Sequence, residues 1–451
     1  MSILTESKST IGAFTADAFA AHLATQSSAP AWWLDRKRAA YETFASLPMP
    51  KRTDESWRFS SIATLTLDGV QVGRGVPAEL SVDAPFGPPT LAFVDNTLAS
   101  RDTSALSLPP GVIVTTLAEA IVKHPDLVRE HFMAQPQKLG SDKFAALHVA
   151  FLSDGAFIYV PKGVEVTMPI VITHAAAGAN TAVFPHTLVV ADDNAKVTVV
   201  DYFVTLAPNP EPGTPNPEQK NPNPEPRSLA IGANDLYASH GAQLTYVAAQ
   251  NWSRDTLSFH SNDTIVRRDA RVQSLNVHLG ARQARHESLS LLQAPGAFSE
   301  MLAVTVAEAT QEFDQRTLQI HEAPNTKSDL LYKNTLRDKS RTIFSGLIVV
   351  DQDAQKTDAY QSNRNLMLSD DAEANSLPGL EIQANDVRCT HGATSSRIDP
   401  EQEFYLQSRG IGKAMADELL TFGFFEEALN RLASEPLHDA LRALIQTKFK
   451  K

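Results

Sequence analysis

The chain has one cysteine in 451 residues, Cys389. An intrachain disulfide is thereby excluded, and with it the stapled folds of small secreted domains. No stretch reaches the length of about eighteen uninterrupted apolar residues that a membrane-spanning helix needs. The opening MSILTESKSTIGAFTADAFA has neither the basic start nor the apolar run of a signal peptide, so the cytosol is the expected location. Long Lys/Arg runs are missing and the formal charge is -12, which argues against duplex nucleic acid or an anionic membrane as a partner, because both demand concentrated cations. A phosphate-binding loop is absent as well: RGIGKAM has Gly412 and Lys413, but Ala414 stands where Ser or Thr would hold magnesium. With HExxH, GxSxG and paired CxxC also missing, the zinc-protease, serine-hydrolase and zinc-ribbon readings fail. A non-catalytic protein is expected.

What is present, 43% hydrophobic and 20% charged residues, describes an ordinary globular chain long enough for a large core with flanking modules. Three textures follow one another. From Thr15 to about Gln135 the patterns are mostly helical, with Thr15 as a cap, Trp33, Tyr41 and Phe44 recurring, and Thr116 with Glu119 forming a capping box. From about Phe144 to Asp386, strand-length runs rich in Val, Ile, Thr and aromatics succeed one another with almost no helical pattern between them. That excludes a doubly wound α/β fold and leaves a sandwich, a barrel or a β-solenoid. RVQSLNVHLG, AFSEMLAVTVA, EFDQRTLQIHE and TIFSGLIVVD return at roughly fifteen- to thirty-residue intervals, as rungs of a stacked coil do; an irregular sandwich fits the pattern equally well.

Between Leu206 and Ser228 eight prolines, Pro208 to Pro226, forbid a paired strand and predict a disordered insertion. Helices return after Ser396: Asp399 can cap, Pro400 fits the first helical position, and Leu419, Leu420, Phe424, Phe425, Ala428 and Leu432 form an apolar set. The arginines of RDARVQSLNVHLGARQARHE, including Arg267, Arg271, Arg282 and Arg285, read as a solvated face. The expected division is a mainly helical region 1–140, a β core 141–394 carrying the insertion 206–228, and a helical region 395–451.

Cys389 and His391 lie two apart, so on an extended strand they point to the same face. Thiolate and imidazole could then reach one metal, yet two donors do not close a site, and iron–sulfur clusters usually take four. A lone cysteine is also commonly a packed small hydrophobe. Spacing alone leaves both readings open.

The stretch from His321 to Thr394, followed by FYLQSRGI from Phe404 to Ile411, resembles the SufB/SufD family of iron–sulfur cluster assembly proteins. The likeness extends to Phe144–Ile170 and, more weakly, to DESWRFSSI from Asp54 to Ile62. Cys389-Thr390-His391-Gly392-Ala393-Thr394 is similar to the motif of the SufD branch; SufB-like chains place a cysteine four residues before the histidine and a glutamate after it, where Val387 and Gly392 stand here.

The resemblance implies a mainly β fold, a right-handed parallel β-helix flanked by N- and C-terminal helical domains. It also implies a SufB partner bound through the β-helix and the ATPase SufC bound through the C-terminal helices, with Arg409, Gly410, Leu419, Leu420, Phe424 and Phe425 as the expected contact residues. His391, with Cys389 as the second candidate, would then hold a transient iron–sulfur cluster shared with SufB. A reduced flavin at the level of the complex and a homodimer in the partner's absence stay open. Three rivals remain: a purely structural partner of SufB, a SufB-like scaffold, and a polysaccharide-cleaving β-helix enzyme, which would need carboxylates clustered in one groove.

Overall fold

The computed structural model describes residues 11–73, 75, 85–104, 106–178, 180–206 and 228–449. The proline-rich insertion expected at 206–228 lies almost wholly outside them.

The chain forms a parallel β-solenoid of about eight turns. Each turn contributes one strand to each of two sheets. Along the first sheet, Ala156–Val160, His186–Ala191, Ser228–Ala238, Thr256–Val266, Gln283–Leu292, Glu312–His321, Arg341–Val350 and Glu373–Ile382 are neighbours. Along the second, Ile170–Ala176, Lys196–Thr205, Gln243–Asn251, Arg271–His278, Phe298–Ala307, Lys327–Leu336, Asp358–Met367 and Arg388–Ser396 stack in the same order. In the later turns the repeat runs from 26 residues, Leu257 to Gln283, to 32, Arg341 to Glu373. The sandwich that the strand pattern equally allowed is thus excluded.

A corner keeps the turns in step. Asn194, Gly241, Asp269, Gly296, Asn325 and Lys356 all adopt positive φ, between 55° and 77°. Each donates its amide to a carbonyl at the corner of the next turn, as Asn194 does to His240, Gly241 to Arg268 and Asp269 to Pro295. Gly, Asn and Asp enter the left-handed region at least cost, which explains why they recur there.

Helices cover both outer faces. Ala16–Thr25, Ala31–Ser46 and Asp142–Phe151 bury Phe19, Trp33, Phe44, Phe144 and Phe151 against Leu188, Ile231, Phe259 and Leu318 of the first sheet. The Thr15 hydroxyl accepts from the Ala18 amide and the Thr116 hydroxyl from the Glu119 amide, so both caps form as read. The helix Asp142–Phe151 stands where strands were expected to begin; the first strand of the solenoid starts at Ala156. On the second sheet, Lys413–Leu429 and Glu435–Gln446 bury Phe422, Phe425, Leu441 and Ile445 against Val247, Val277, Val304 and Leu331.

Candidate functional site

Glu373–Ile382 and Arg388–Ser396 end their sheets, each with a strand neighbour on one side only among the described residues. Both present a row of unpaired backbone donors and acceptors, a template for a further strand. Cys389 pairs in register with Ala359 and His391 with Gln361, both of which are buried and inward-facing. Cys389 and His391 therefore occupy core positions of the coil in a turn that nothing stacks upon.

Their environments differ. The half-buried Cys389 packs beside Ile348, Val350, Ala359 and Ala384. Burial pushes its thiol up, a backbone hydrogen bond at Ala359 opposes that, and Asp358 adds to it. Since the thiolate is the metal-binding form, this surrounding works against ligation. His391 is exposed. The imidazole thus faces open space at the mouth of the coil. No group of three or more His, Cys, Asp or Glu side chains among the described residues could enclose a metal ion. As an iron donor set, the mouth is incomplete.

His321 is no rival. Its Nδ1 lies 2.7 Å from the Thr326 hydroxyl and its Nε2 2.8 Å from that of Ser328, and burial lowers its pKa to about 4. Both ring nitrogens are engaged in shaping the turn.

The residues expected at a partner surface divide. In the helix Pro400–Ser408, whose Asp399 cap accepts from the Glu401 amide at 2.9 Å, no residue is buried. Phe404 and Tyr405 are 72% and 57% exposed, well above what a helix docked on its own domain shows. Arg409 lies over the Tyr405 ring at 5.2 Å, and Gly410 has φ 84°, a conformation that favours glycine. Met415 and Leu419 continue the exposed apolar surface, and Leu420 is half-buried. Phe425 is a correction: fully buried against the solenoid, it belongs to the chain's own core, and the half-buried Phe424 lies beneath Lys333.

Sequence reading missed a buried ionic clasp. Arg285, expected on a solvated face, is 3% exposed. Its guanidinium donates to Glu287 at 2.7 Å, to Asp314 at 2.5 Å, and to the Ser56 and Leu139 carbonyls, while lying 3.9 Å from the Trp57 ring centroid. Asp314 also accepts from Arg316, whose guanidinium reaches the Arg58 carbonyl. The register pairs Arg285 with Asp314 and Glu287 with Arg316. Opposite charges one turn apart were the signal available in the sequence.

Comparisons with known proteins agree with this architecture. Residues 173–424, more than half of the chain, match the model of the SUF system FeS cluster assembly SufBD core domain, and residues 87–172 match that of the SufBD protein N-terminal region. The chain is 30% identical to the iron-sulfur cluster assembly protein SufD of Bacillus subtilis over 93% of its length and 95% of that protein's. It is 30% identical to SufD of Escherichia coli, covering 69% and 70% of the two chains, and 24% identical to SufB of Bacillus subtilis, covering 90% and 87%. Among the described residues no helix is long and apolar enough to cross a membrane.

Proposed function

Because the chain belongs to the SufB/SufD family of iron–sulfur cluster assembly proteins, we propose that it acts as the SufD-type subunit of a cytosolic assembly complex. It would pair with a SufB chain across the open end of the solenoid and carry the SufC ATPase on its C-terminal helices. One observation carries this reading: His391, a core position by register, stands exposed at two unpaired strand edges. A second coil added there would cover it and bring the missing donors. The nascent cluster is then cargo, held by His391 and by groups of the partner, and released when the interface opens.

The C-terminal region supports a division of labour. The packed part, from Phe422 to Ile445, is anchored by apolar contacts and by Arg431, which bonds Glu300 at 2.9 Å and Asp329 at 2.8 Å. Pro400–Ser408 buries no residue and offers Phe404 and Tyr405 to a partner, and Met415 and Leu419 at the start of the next helix extend that surface. Nucleotide-driven motion of SufC would act on this helix, with the Gly410 turn as the pivot, and not on the packed part.

A purely structural role is the second reading, favoured by the half-buried, upward-shifted thiol of Cys389 and by the lack of a third donor among the described residues. Co-expression with SufB and SufC, followed by anaerobic purification of wild-type, His391→Ala and Cys389→Ala complexes, separates the two. The expected outcome is an intact complex with most of its iron and brown absorbance lost in His391→Ala and little lost in Cys389→Ala. Full iron in both variants would leave the structural role.

A further inference from the structure

Inside the coil, one inward column of the first sheet changes character along the stack. It begins as Ile158, Val189 and Leu236, becomes Thr264, Ser290 and Gln319, and returns to Ile348 and Leu380. The neighbouring inward column runs from Asn262 through Ser288 and Thr317 to Gly346, and the one beyond it from His260 through His286 and Gln315 to Phe344. The middle turns therefore enclose a polar block roofed by Phe344 and Ile348, where a solenoid core would ordinarily be aliphatic.

The block is not internally satisfied. Both amide atoms of Gln319, Oε1 of Gln315, Oγ1 of Thr317 and Nε2 of His286 are buried without a hydrogen-bond partner among the described residues. So is Oε1 of Gln361, whose amide enters the space that Gly346 leaves free of a side chain. Direct bonds from these inward groups are few: the Ser290 hydroxyl donates to that of Ser299 at 2.7 Å, the Gln315 amide reaches Thr305 at 2.8 Å, and that of Gln361 reaches the Gly346 carbonyl at 3.2 Å. Successive inward residues of one strand stand about 7 Å apart, which suits a bridging water better than a direct contact. Leaving so many polar atoms dry would cost an amount comparable with the stability of a whole domain.

We propose that the middle turns of the solenoid hold a cluster of ordered water molecules, bound by Gln315, Thr317, Gln319, His286 and Gln361 and closed by Phe344 and Ile348. The chemistry selects water. The inward positions of Gln283–Leu292 and Glu312–His321 supply amides, hydroxyls and imidazoles, and the charged Arg285, Glu287, Asp314 and Arg316 alternate with them and face the other way. Neither of these strands offers an inward carboxylate to a metal ion or an inward cation to an anion; the interior carboxylate of Asp201, lower in the stack and near His260, accepts from the Tyr246 hydroxyl at 2.7 Å.

The test uses the full chain. Thr317→Val replaces the hydroxyl by a methyl of nearly equal size, so the sign of its effect is diagnostic. If the hydroxyl is hydrated, the thermal midpoint falls by about 1–2 °C; if it is dry, losing an unpartnered group leaves the midpoint unchanged or raises it. A crystal structure of the wild-type chain at a resolution that shows solvent gives the second readout. Water peaks within hydrogen-bond distance of Thr317 Oγ1 and the Gln319 amide are expected. An unchanged or higher midpoint, or an interior without such peaks, overturns the proposal.

Discussion

Replacing Arg285 by leucine tests whether the ionic clasp holds the N-terminal region to the solenoid. The change removes the bonds to Glu287, Asp314 and two backbone carbonyls, together with the stacking on Trp57. Breaking a buried pair from one side costs about 3–5 kcal/mol, because the partner stays buried and charged. Here both carboxylates keep a second partner: Glu287 accepts from the Ser141 hydroxyl at 2.6 Å and Asp314 from Arg316 at 2.6 Å. The lower end, about 3 kcal/mol, is therefore expected. Because Ser56, Trp57 and Leu139 belong to the covering region and Glu287 and Asp314 to the coil, the loss should be local first. Urea titration followed by tryptophan fluorescence should show an early transition, ahead of the loss of strand signal in circular dichroism. Adding Glu287→Gln to Arg285→Leu should restore part of the stability, since the stranded charge is the cause. A cost below about 1 kcal/mol, or coincident transitions with no rescue, would refute the reasoning.

Other expectations follow from single side chains. Lys37 is buried, its pKa lowered to about 7 by desolvation, and its ammonium reaches the Val149 and Leu152 carbonyls. The unfolded chain then binds more protons than the folded one from pH 7 up to the ordinary lysine range, so stability should rise with pH across that window, and the slope should shrink in Lys37→Met, the buried Lys143 with its pKa lowered to about 8 supplying part of the rest. Phe425→Ala should cost about 3–5 kcal/mol in a denaturant melt as a large-to-small core change. Leu419→Ala should change stability by less than about 0.5 kcal/mol while weakening capture of SufC in a pull-down; equal stability losses in the two would undo the division between packed and exposed faces.

The solenoid was half legible in the sequence. Hydrophobic runs suggested rungs but could not separate a coil from a sandwich, because both place two sheets face to face and a loose spacing of runs does not say which strand pairs with which. The sharper signal lay in the corners: Gly241, Asp269, Gly296 and Asn325 recur at nearly constant spacing, each where the backbone must turn left-handed. The helix Asp142–Phe151 was obscured because seven of its ten residues are buried, which erases the polar face that betrays a helical period. Phe424 and Phe425 illustrate a related limit. Adjacent helical residues point about 100° apart, so only one of them faces the sheet, and the sequence FGFF does not say which. The Asp399–Pro400 start, by contrast, was readable because a cap is a local device that needs no tertiary partner.

The unpaired last turn has a consequence for the lifetime of the chain. In a stack held together by nearest-neighbour interfaces, an end unit has one interface where every other unit has two, so fraying starts there. His391 lies in that unit, and the strands around it gain their second interface only when another coil docks. An orphan subunit would thus present a loosened end to proteases, and one docked as proposed would not. The same geometry that leaves the imidazole open would let a cell remove whatever fraction of this protein has failed to find its partner.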